Sequence, residues 1–446
     1  MTALLWLRQD LRLHDHPALT AAAHAGPVIP VYVLDDDTPG AWQMGGAQRW
    51  WLHHSLDSLA KSLKEKGSGL VLRRGKAAKV LADLADQTGA GAIHAIRHYE
   101  PWWREAEEAL GDRLCLHDGN HLAPPERVTT GSGGQYRIYS SFWKALQSHL
   151  PPDDPLPVPR SIPAPDAWPK GDKLADWHLL PTKPDWSGGF DWVPGEEAAL
   201  KKVKSLDIKD YDTARNMPSQ DGSSRLSPHL HFGEVSPRTV WQATGAGDTT
   251  FRQELAWRDF TSGVIWALPK YGEENGRPAF DKLPWRTGAA AKHDLKAWQQ
   301  GRTGYPIVDA GMRQLWTTGW MHNRIRMIAA SFLIKHLLID WRAGERWFWD
   351  TLVDADYGNN AVNWQWVAGT GVDANMFGRI MAPLSQSAKF DAGDYIRQWV
   401  PELAGLGDDA IHDPDGAGYR PRDYPAPLIG HREARERALA AGRKVR

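Results

Sequence analysis

Over residues 1–125, short apolar runs alternate with stretches in which apolar residues recur every three or four positions. Leu4 to Leu7, Val28 to Leu34, Gly69 to Leu72 and Ala92 to Ile96 read as four strands. Between them, Gln48 to Leu63 sets Trp51, Leu52, Leu56, Leu59 and Leu63 near one helical face, and Ala78 to Ala85 and Trp103 to Leu110 repeat the pattern. Short strands joined by helices predict an α/β domain with a doubly wound parallel sheet covered on both faces.

Residues 126–198 break this rhythm. Proline is dense between Pro151 and Pro194 and long apolar periodicity is missing, which predicts an interdomain linker over the surface, with one short helix from Ser140 to Leu150. From 199 to 430 the pattern is helical: Phe251 to Leu268, Tyr305 to Thr318, Asn323 to Ile339 and Glu345 to Val353 carry i, i+3, i+4 apolar spacing. This predicts an all-α domain. Residues 431–446 hold six Lys or Arg and two Glu, and read as a basic C-terminal tail, either a solvated helix or a frayed end.

Composition narrows the chemistry. The 446 residues suggest more than one domain. Fifty-three Lys and Arg against 54 Asp and Glu exclude a globally basic coat but leave room for a local basic groove. The single cysteine, Cys115, excludes an intramolecular disulfide, a Cys-type zinc site and an iron–sulfur cluster, and a reducing cytoplasm is expected. No apolar run approaches the ~18 residues of a membrane span, and Arg8 comes too early for a secretory signal. GxxxxGK[ST], a GxGxxG after a strand and HExxH are all missing, and Gly369-Thr-Gly371 lacks the third glycine. No metal is indicated. The 24 tryptophans, against 10 Phe and 11 Tyr, can pack, stack on flat ligands or carry electrons.

Four clusters could carry chemistry. Gly222-Ser223-Ser224-Arg225-Leu226-Ser227-Pro228 offers hydroxyls and free amides to a phosphate; the plainer alternative is an N-cap, Ser227 before Pro228. Glu254, Trp257 and Arg258 share a helix face that suits a planar polar ligand such as a base, or form an ordinary amphipathic helix with an internal Glu–Arg pair. In Asn323-Arg324-Ile-Arg326-Met327, Asn323 and Met327 share a face, and two arginines beside an apolar helix need a ligand phosphate or an aspartate as partner. Asp356, Asn360 and Trp364 form one row if their segment is helical, able to hydrogen-bond and stack on a heteroaromatic ring; otherwise they belong to a polar loop.

Taken in order, these clusters resemble the photolyase/cryptochrome family, most closely the bacterial cyclobutane pyrimidine dimer (CPD) photolyases. The resemblance begins at Trp6-Leu-Arg8-Gln-Asp10-Leu-Arg12. It is strongest from Trp298-Gln-Gln-Gly to Met312-Arg313, then through Gly319-Trp-Met-His-Asn-Arg324, Asp340-Trp341-Arg342, Asn363-Trp-Gln-Trp366 and Lys389-Phe390 to Trp399-Val-Pro-Glu-Leu403. It implies an antenna domain followed by a helical domain that holds a U-shaped FAD, with FADH⁻ as working form. Tyr211, Ser223, Ser224, Leu226 and Ser227, with Arg225 in the same turn, match positions that hold the FAD phosphates and ribityl. Arg326 and Asp354 match a buried pair beside the isoalloxazine, Asp356 its polar edge, and Asn360 the residue facing N5, where an amide favours the anionic reduced flavin. Glu254, Trp257, Asn323, Met327 and Trp366 match the dimer pocket; Arg258, Arg324, Arg379 and Lys389 are candidate phosphate contacts. Trp364, Trp341 and Trp285 match the tryptophan chain that re-reduces flavin.

The reaction so implied is light-driven electron donation from FADH⁻ to a pyrimidine dimer flipped out of UV-damaged DNA, with no amino-acid nucleophile. A monomer is expected. The alternative is a cryptochrome photoreceptor without repair. A (6-4) photolyase is disfavoured because Asn323 and Met327 stand where its two histidines would be, and the iron–sulfur branch lacks its four cysteines. Two departures bear on detail. Trp102 and Trp103 stand where folate-binding members carry an Asn-Glu pair, so a folate antenna is expected to be absent or bound differently; a deazaflavin stays open, with Arg49 as a candidate contact. Asn375-Met376-Phe377-Gly378 replaces a stretch that carries a proline in many relatives.

Overall fold

The structure is a computed structural model that describes residues 2–374, 377–419 and 421–445; Asn375 and Met376 of the second departure lie outside the described residues. Five parallel strands, β1 (Ala3–Leu7), β2 (Val28–Leu34), β3 (Val71–Arg74), β4 (Ala92–Ile96) and β5 (Leu114–His117), form one sheet in the order β3-β2-β1-β4-β5. Alternation along β1 explains its burial on both sides. Leu4 and Trp6 face Leu81, Leu84 and Leu110 on one side. Leu5 and Leu7 face Leu19, Trp51 and Leu56 on the other. The fifth strand was not expected. It lies at the sheet edge, and its leucines alternate with the exposed Cys115 and half-buried His117, so no apolar run marks it.

Helix α1 (Gly46–Glu65) crosses from the sheet to the helical domain. Its Trp51 Nε1 donates to the buried Glu234 carboxylate at 2.9 Å; that carboxylate also accepts from Gly195 N (2.7 Å) and meets His229 Nδ1 at 2.5 Å. Asp15 pairs with Arg238 at 2.5 Å, and the Glu196 carboxylate accepts from the amides of Leu13 and His14. The two domains are therefore fastened by buried, satisfied polar groups. The linker runs along this seam and is anchored by the buried Phe142, Leu146, Ile162, Trp177 and Leu179.

In the helical domain, α2 (Thr249–Ala267), α3 (Asn323–Ser331), α4 (Trp341–Thr351) and α5 (Tyr357–Ala368) carry the candidate residues. The 323–339 pattern is not one regular helix: α3 passes into a π-helical turn at Phe332–His336. The basic C-terminal stretch is a helix, one of its two expected forms, but it is not solvated all round. Residues His431–Arg443 form a helix, α6, whose Ala434, Ala438 and Ala441 are buried. Small residues at that spacing let it lie close against the π-helical turn, so only its outer face is solvated.

Candidate functional site

The residues expected for flavin and for substrate line one cavity of about 320 Å³ in the helical domain. Four segments far apart in sequence build it.

The serine turn supplies one wall. Ser223, Ser224, Arg225, Leu226 and Ser227 all face the cavity with Tyr211. Arg225 holds a left-handed backbone (φ 49°), and the Ser224 hydroxyl accepts from Leu226 N at 3.3 Å. The helix over Ser227–His231 starts at Ser227 itself, with Leu226 in the cap position, so Ser227 is not an N-cap. Ser227 lines the cavity from the first turn of that helix.

Helix α5 supplies the second wall and is helical, as the row of Asp356, Asn360 and Trp364 required. Asp356 is the N-cap: its Oδ1 accepts from Asn359 N at 2.7 Å. Its Oδ2 lies 3.7 Å from Arg258 and 3.9 Å from His231. Burial pushes the Asp356 carboxyl up, but His231 and Arg258 outweigh that and hold it below the usual carboxylate range. Asn360 Nδ2 donates to the Glu345 carbonyl at 3.1 Å, which fixes the amide's orientation and leaves its oxygen as an acceptor. Trp364 is buried edge-on to Phe348 (4.9 Å, 69°) and Trp298 (6.3 Å, 71°).

Helix α3 brings Asn323, Arg326 and Met327 to the cavity. The partner required for Arg326 is Asp354, at 2.9 Å; Arg326 Nε also donates to the Met321 carbonyl at 2.8 Å. His322 caps α3 by accepting from Arg324 N at 3.2 Å. Burial, then the charges of Arg324 and Arg326, push its imidazole down to about 4, so the ring is neutral near pH 7.

Helix α2 supplies the mouth. Glu254 pairs with Arg215 at 2.8 Å, and Trp257 stacks face to face on Tyr139, centroids 3.8 Å apart and planes 5° from parallel. Trp366 closes the opposite side, with the Arg379 guanidinium 5.9 Å from its ring. Arg324 and Lys389 both approach the Phe390 ring, at 4.6 and 5.2 Å. Arg258 departs from its expected place among phosphate contacts. One helical turn beyond Glu254, it points inward to Asp356 and lines the cavity, because the face of α2 that carries both residues runs from mouth to floor.

The tryptophan chain is assembled only in part. Trp364 presses against α4 at Gly344, where a Cβ would lie 2.2 Å from its ring, and Trp341 is three residues before Gly344 on that helix. Trp341 is fully buried, with Nε1 donating to Asn275 Oδ1 at 3.0 Å. Trp285 is half-buried, 6.4 Å from Phe377. Arg215, His322 and Tyr139 are cavity or mouth residues that the sequence reading missed.

The donor set fits a flavin dinucleotide. Four arginines (Arg215, Arg225, Arg258 and Arg326) face three carboxylates (Glu254, Asp354 and Asp356), so the lining has a positive surplus suited to a pyrophosphate. Asp354 Oδ1, His322 Nε2 and Arg225 Nε are buried without a hydrogen-bond partner in the protein. Buried polar groups are rarely left so, and a polar ligand would satisfy them. In the sheet domain, Arg49 is already committed to Asp36 (2.5 Å) and the Met44 carbonyl (2.9 Å). Trp102 is buried against Tyr357 at 5.1 Å, and Trp103 lies edge-on to Trp6 at 6.0 Å.

Comparison with known proteins agrees with this geometry. Residues 251–444 match the family model for the FAD binding domain of DNA photolyase, and residues 3–161 the DNA photolyase model. The chain is 48% identical to a deoxyribodipyrimidine photo-lyase of Agrobacterium fabrum, over 98% of this chain and 97% of that one. It is 35% identical to Cryptochrome-1 of Arabidopsis thaliana, over 98% of this chain and 69% of the other. A crystal structure of a bacterial class III photolyase from Agrobacterium tumefaciens superposes with a TM-score of 0.93 at 47% identity, covering 100% of this chain and 97% of that one.

Proposed function

The chain belongs to the photolyase/cryptochrome family, and on that premise we propose that it is a deoxyribodipyrimidine photo-lyase that repairs cyclobutane pyrimidine dimers in UV-damaged DNA, acting as a monomer in the cytoplasm. The observation that carries the reading is the sharing of one cavity by a flavin-type wall and a base-type mouth. Bound there in reduced form, FAD supplies a light-excited electron that opens the cyclobutane ring and is then returned.

The residues divide the work. Ser223, Ser224, Ser227, Tyr211 and Arg225 hold the phosphates and ribityl. The Arg326–Asp354 pair fixes a charge of each sign on the wall, while Arg258 and His231 keep Asp356 ionised to accept from ring N–H groups. Asn360 is held by the Glu345 carbonyl, so it offers a fixed amide where an acid would deliver a proton. At the mouth, Glu254, steadied by Arg215, accepts and orders the pyrimidine edges. Trp257, rigid on Tyr139, gives a flat face worth ~1–3 kcal/mol per stacked base, Trp366 a second, and Met327 an adaptable apolar wall. Asn323 lies at the exposed entrance. Arg324, Arg379 and Lys389 stand at the rim as phosphate contacts. Trp364 and Trp341, with Trp285 toward the surface, form the path for re-reduction.

Substrate class is tested by giving the reduced protein, under blue light, matched oligonucleotides that carry a CPD or a (6-4) photoproduct. Repair of the CPD alone is expected, since the mouth offers Asn323 and Met327 and no histidine pair; repair of the (6-4) product would overturn the assignment. We further propose that Trp102 and Trp103 fill the space a folate would take beside β4. A stoichiometric folate absorbance that is lost in Trp103→Ala would overturn that.

A further inference from the structure

We infer that the C-terminal helix α6 is part of the DNA-docking face, its arginine row contacting duplex phosphates beside the lesion. This rests on the repair reading above and extends it to an element outside the cavity.

Three observations place α6 there. It is fixed to the rod that carries the pocket: its Arg437 donates to the His336 carbonyl, and its His431 ring nitrogen lies 2.8 Å from that of His336. His336 ends the π-helical turn that continues α3, whose first turns bear Asn323 and Met327. Its last turns press on the segment leading into Arg379. A Cβ on Gly442 would lie 2.8 Å from the Phe377 ring, so only glycine allows this approach. Leu439 meets Gly378, where a Cβ would stand 3.3 Å from its side chain. Arg379 follows directly, with its guanidinium 5.9 Å from the Trp366 ring of the cavity.

The arginines of α6 gather on the side of this contact. Arg435 and Arg443 stand four residues before and after Leu439, and Arg432 seven before, so all three share the side that leans toward Gly378 and Arg379. Glu433 is turned about 100° away from Arg432, whereas Glu436, one turn after Arg432, stands on the same side as the arginines. Arg432, Arg435 and Arg443 are exposed, and among the described residues none of the three makes an ion pair. The whole chain has a net charge of -1, so a helix side with three arginines against one glutamate is a local positive surplus. With Arg379, Lys389 and Arg324 it extends the basic rim away from the mouth, along the direction a duplex on either side of a flipped dimer must run.

The test replaces the row as Arg432→Ala/Arg435→Ala/Arg443→Ala in the flavin-loaded full chain. Binding is measured from low to moderate salt, on a dimer-containing duplex of about three helical turns and on a dimer-containing trinucleotide. The duplex should bind about tenfold more weakly at ~0.1 M salt, and the salt slope should fall by about 2 to 3, near 0.9 per lost phosphate contact. Trinucleotide repair and the flavin spectrum should stay unchanged, since neither reaches α6. Unchanged duplex affinity and slope would overturn the inference. So would equal losses on duplex and trinucleotide, which would mean that the row supports the pocket and not the DNA. If the wild type repairs neither substrate, the repair reading itself fails and this inference falls with it.

Discussion

Arg12, on the seam between the domains, and Arg326, on the cavity wall, are both arginines close to an aspartate. Arg12 is fully buried, and its three nitrogens reach Asp15 O, Gly119 O, Gly233 O and Asn120 Oδ1, all at 2.9–3.1 Å. Four of its five bonds go to backbone carbonyls, so this charge fastens loops of two domains. Arg326 makes one backbone bond and one carboxylate bond, and its Asp354 partner keeps one oxygen unsatisfied. The same side chain is a rivet where its donors are used up by the protein and part of a receptor where the site is left incomplete. The difference is visible only in partners.

That contrast can be broken at several points. Arg12→Met should cost about 3–5 kcal/mol in denaturant unfolding, because several acceptors lose a buried charged donor at once. Flavin affinity in the folded fraction should be unchanged; loss of flavin without loss of stability would erase the distinction between seam and cavity.

Glu100, which follows β4 in the seam, is pushed up to about 7, first by burial and then by the charge of Asp356 across the boundary. Its ordinary value is 4.5, so between about 4.5 and 7 the folded state binds the proton more tightly than the unfolded one. Stability from this group is therefore present at low pH and declines as pH rises through that window. Glu100→Gln should match the wild type below pH 4.5 and exceed it by about 3 kcal/mol above pH 7, read from unfolding curves at several pH values. Equal curves at all pH values would mean that the carboxyl is solvated.

At the mouth, Glu254→Ala should lower light-dependent dimer repair by about a hundredfold, the scale of one lost positioned polar group, while flavin retention stays within about twofold. Equal loss of both would make Glu254 a structural partner of Arg215. Smallest is Trp364→Phe: steady-state photoreduction of oxidised flavin should slow by at least about tenfold, with repair by chemically reduced enzyme unchanged. Photoreduction at the wild-type rate would move the electron path to other indoles of this tryptophan-rich chain.

The sequence was most legible where periodicity and packing coincide. The 249–267, 306–318 and 341–351 helices were readable because an apolar stripe on each meets a core. Trp364, Asn360 and Asp356 were readable as a row because α5 is regular. What was hidden depended on distant partners. Arg215 follows a four-residue helix with no periodic pattern and gains its role only by meeting Glu254. Tyr139 sits in the linker, and only tertiary packing lays it on Trp257. Arg258 was misplaced because position on a helix face does not tell which end of that face opens to solvent. The packed face of the C-terminal helix was hidden because three alanines give a weak apolar signal, although small size is what lets them pack closely.

The most direct measurement records the absorption spectrum and light-dependent repair of a thymine-dimer oligonucleotide on one preparation, in darkness and under blue light. A flavin spectrum is expected, with dimer loss only in the light. Flavin photoreduction with the dimer intact would contradict the repair reading, mark the chain as a photoreceptor and withdraw the substrate roles given to Glu254, Trp257 and Met327.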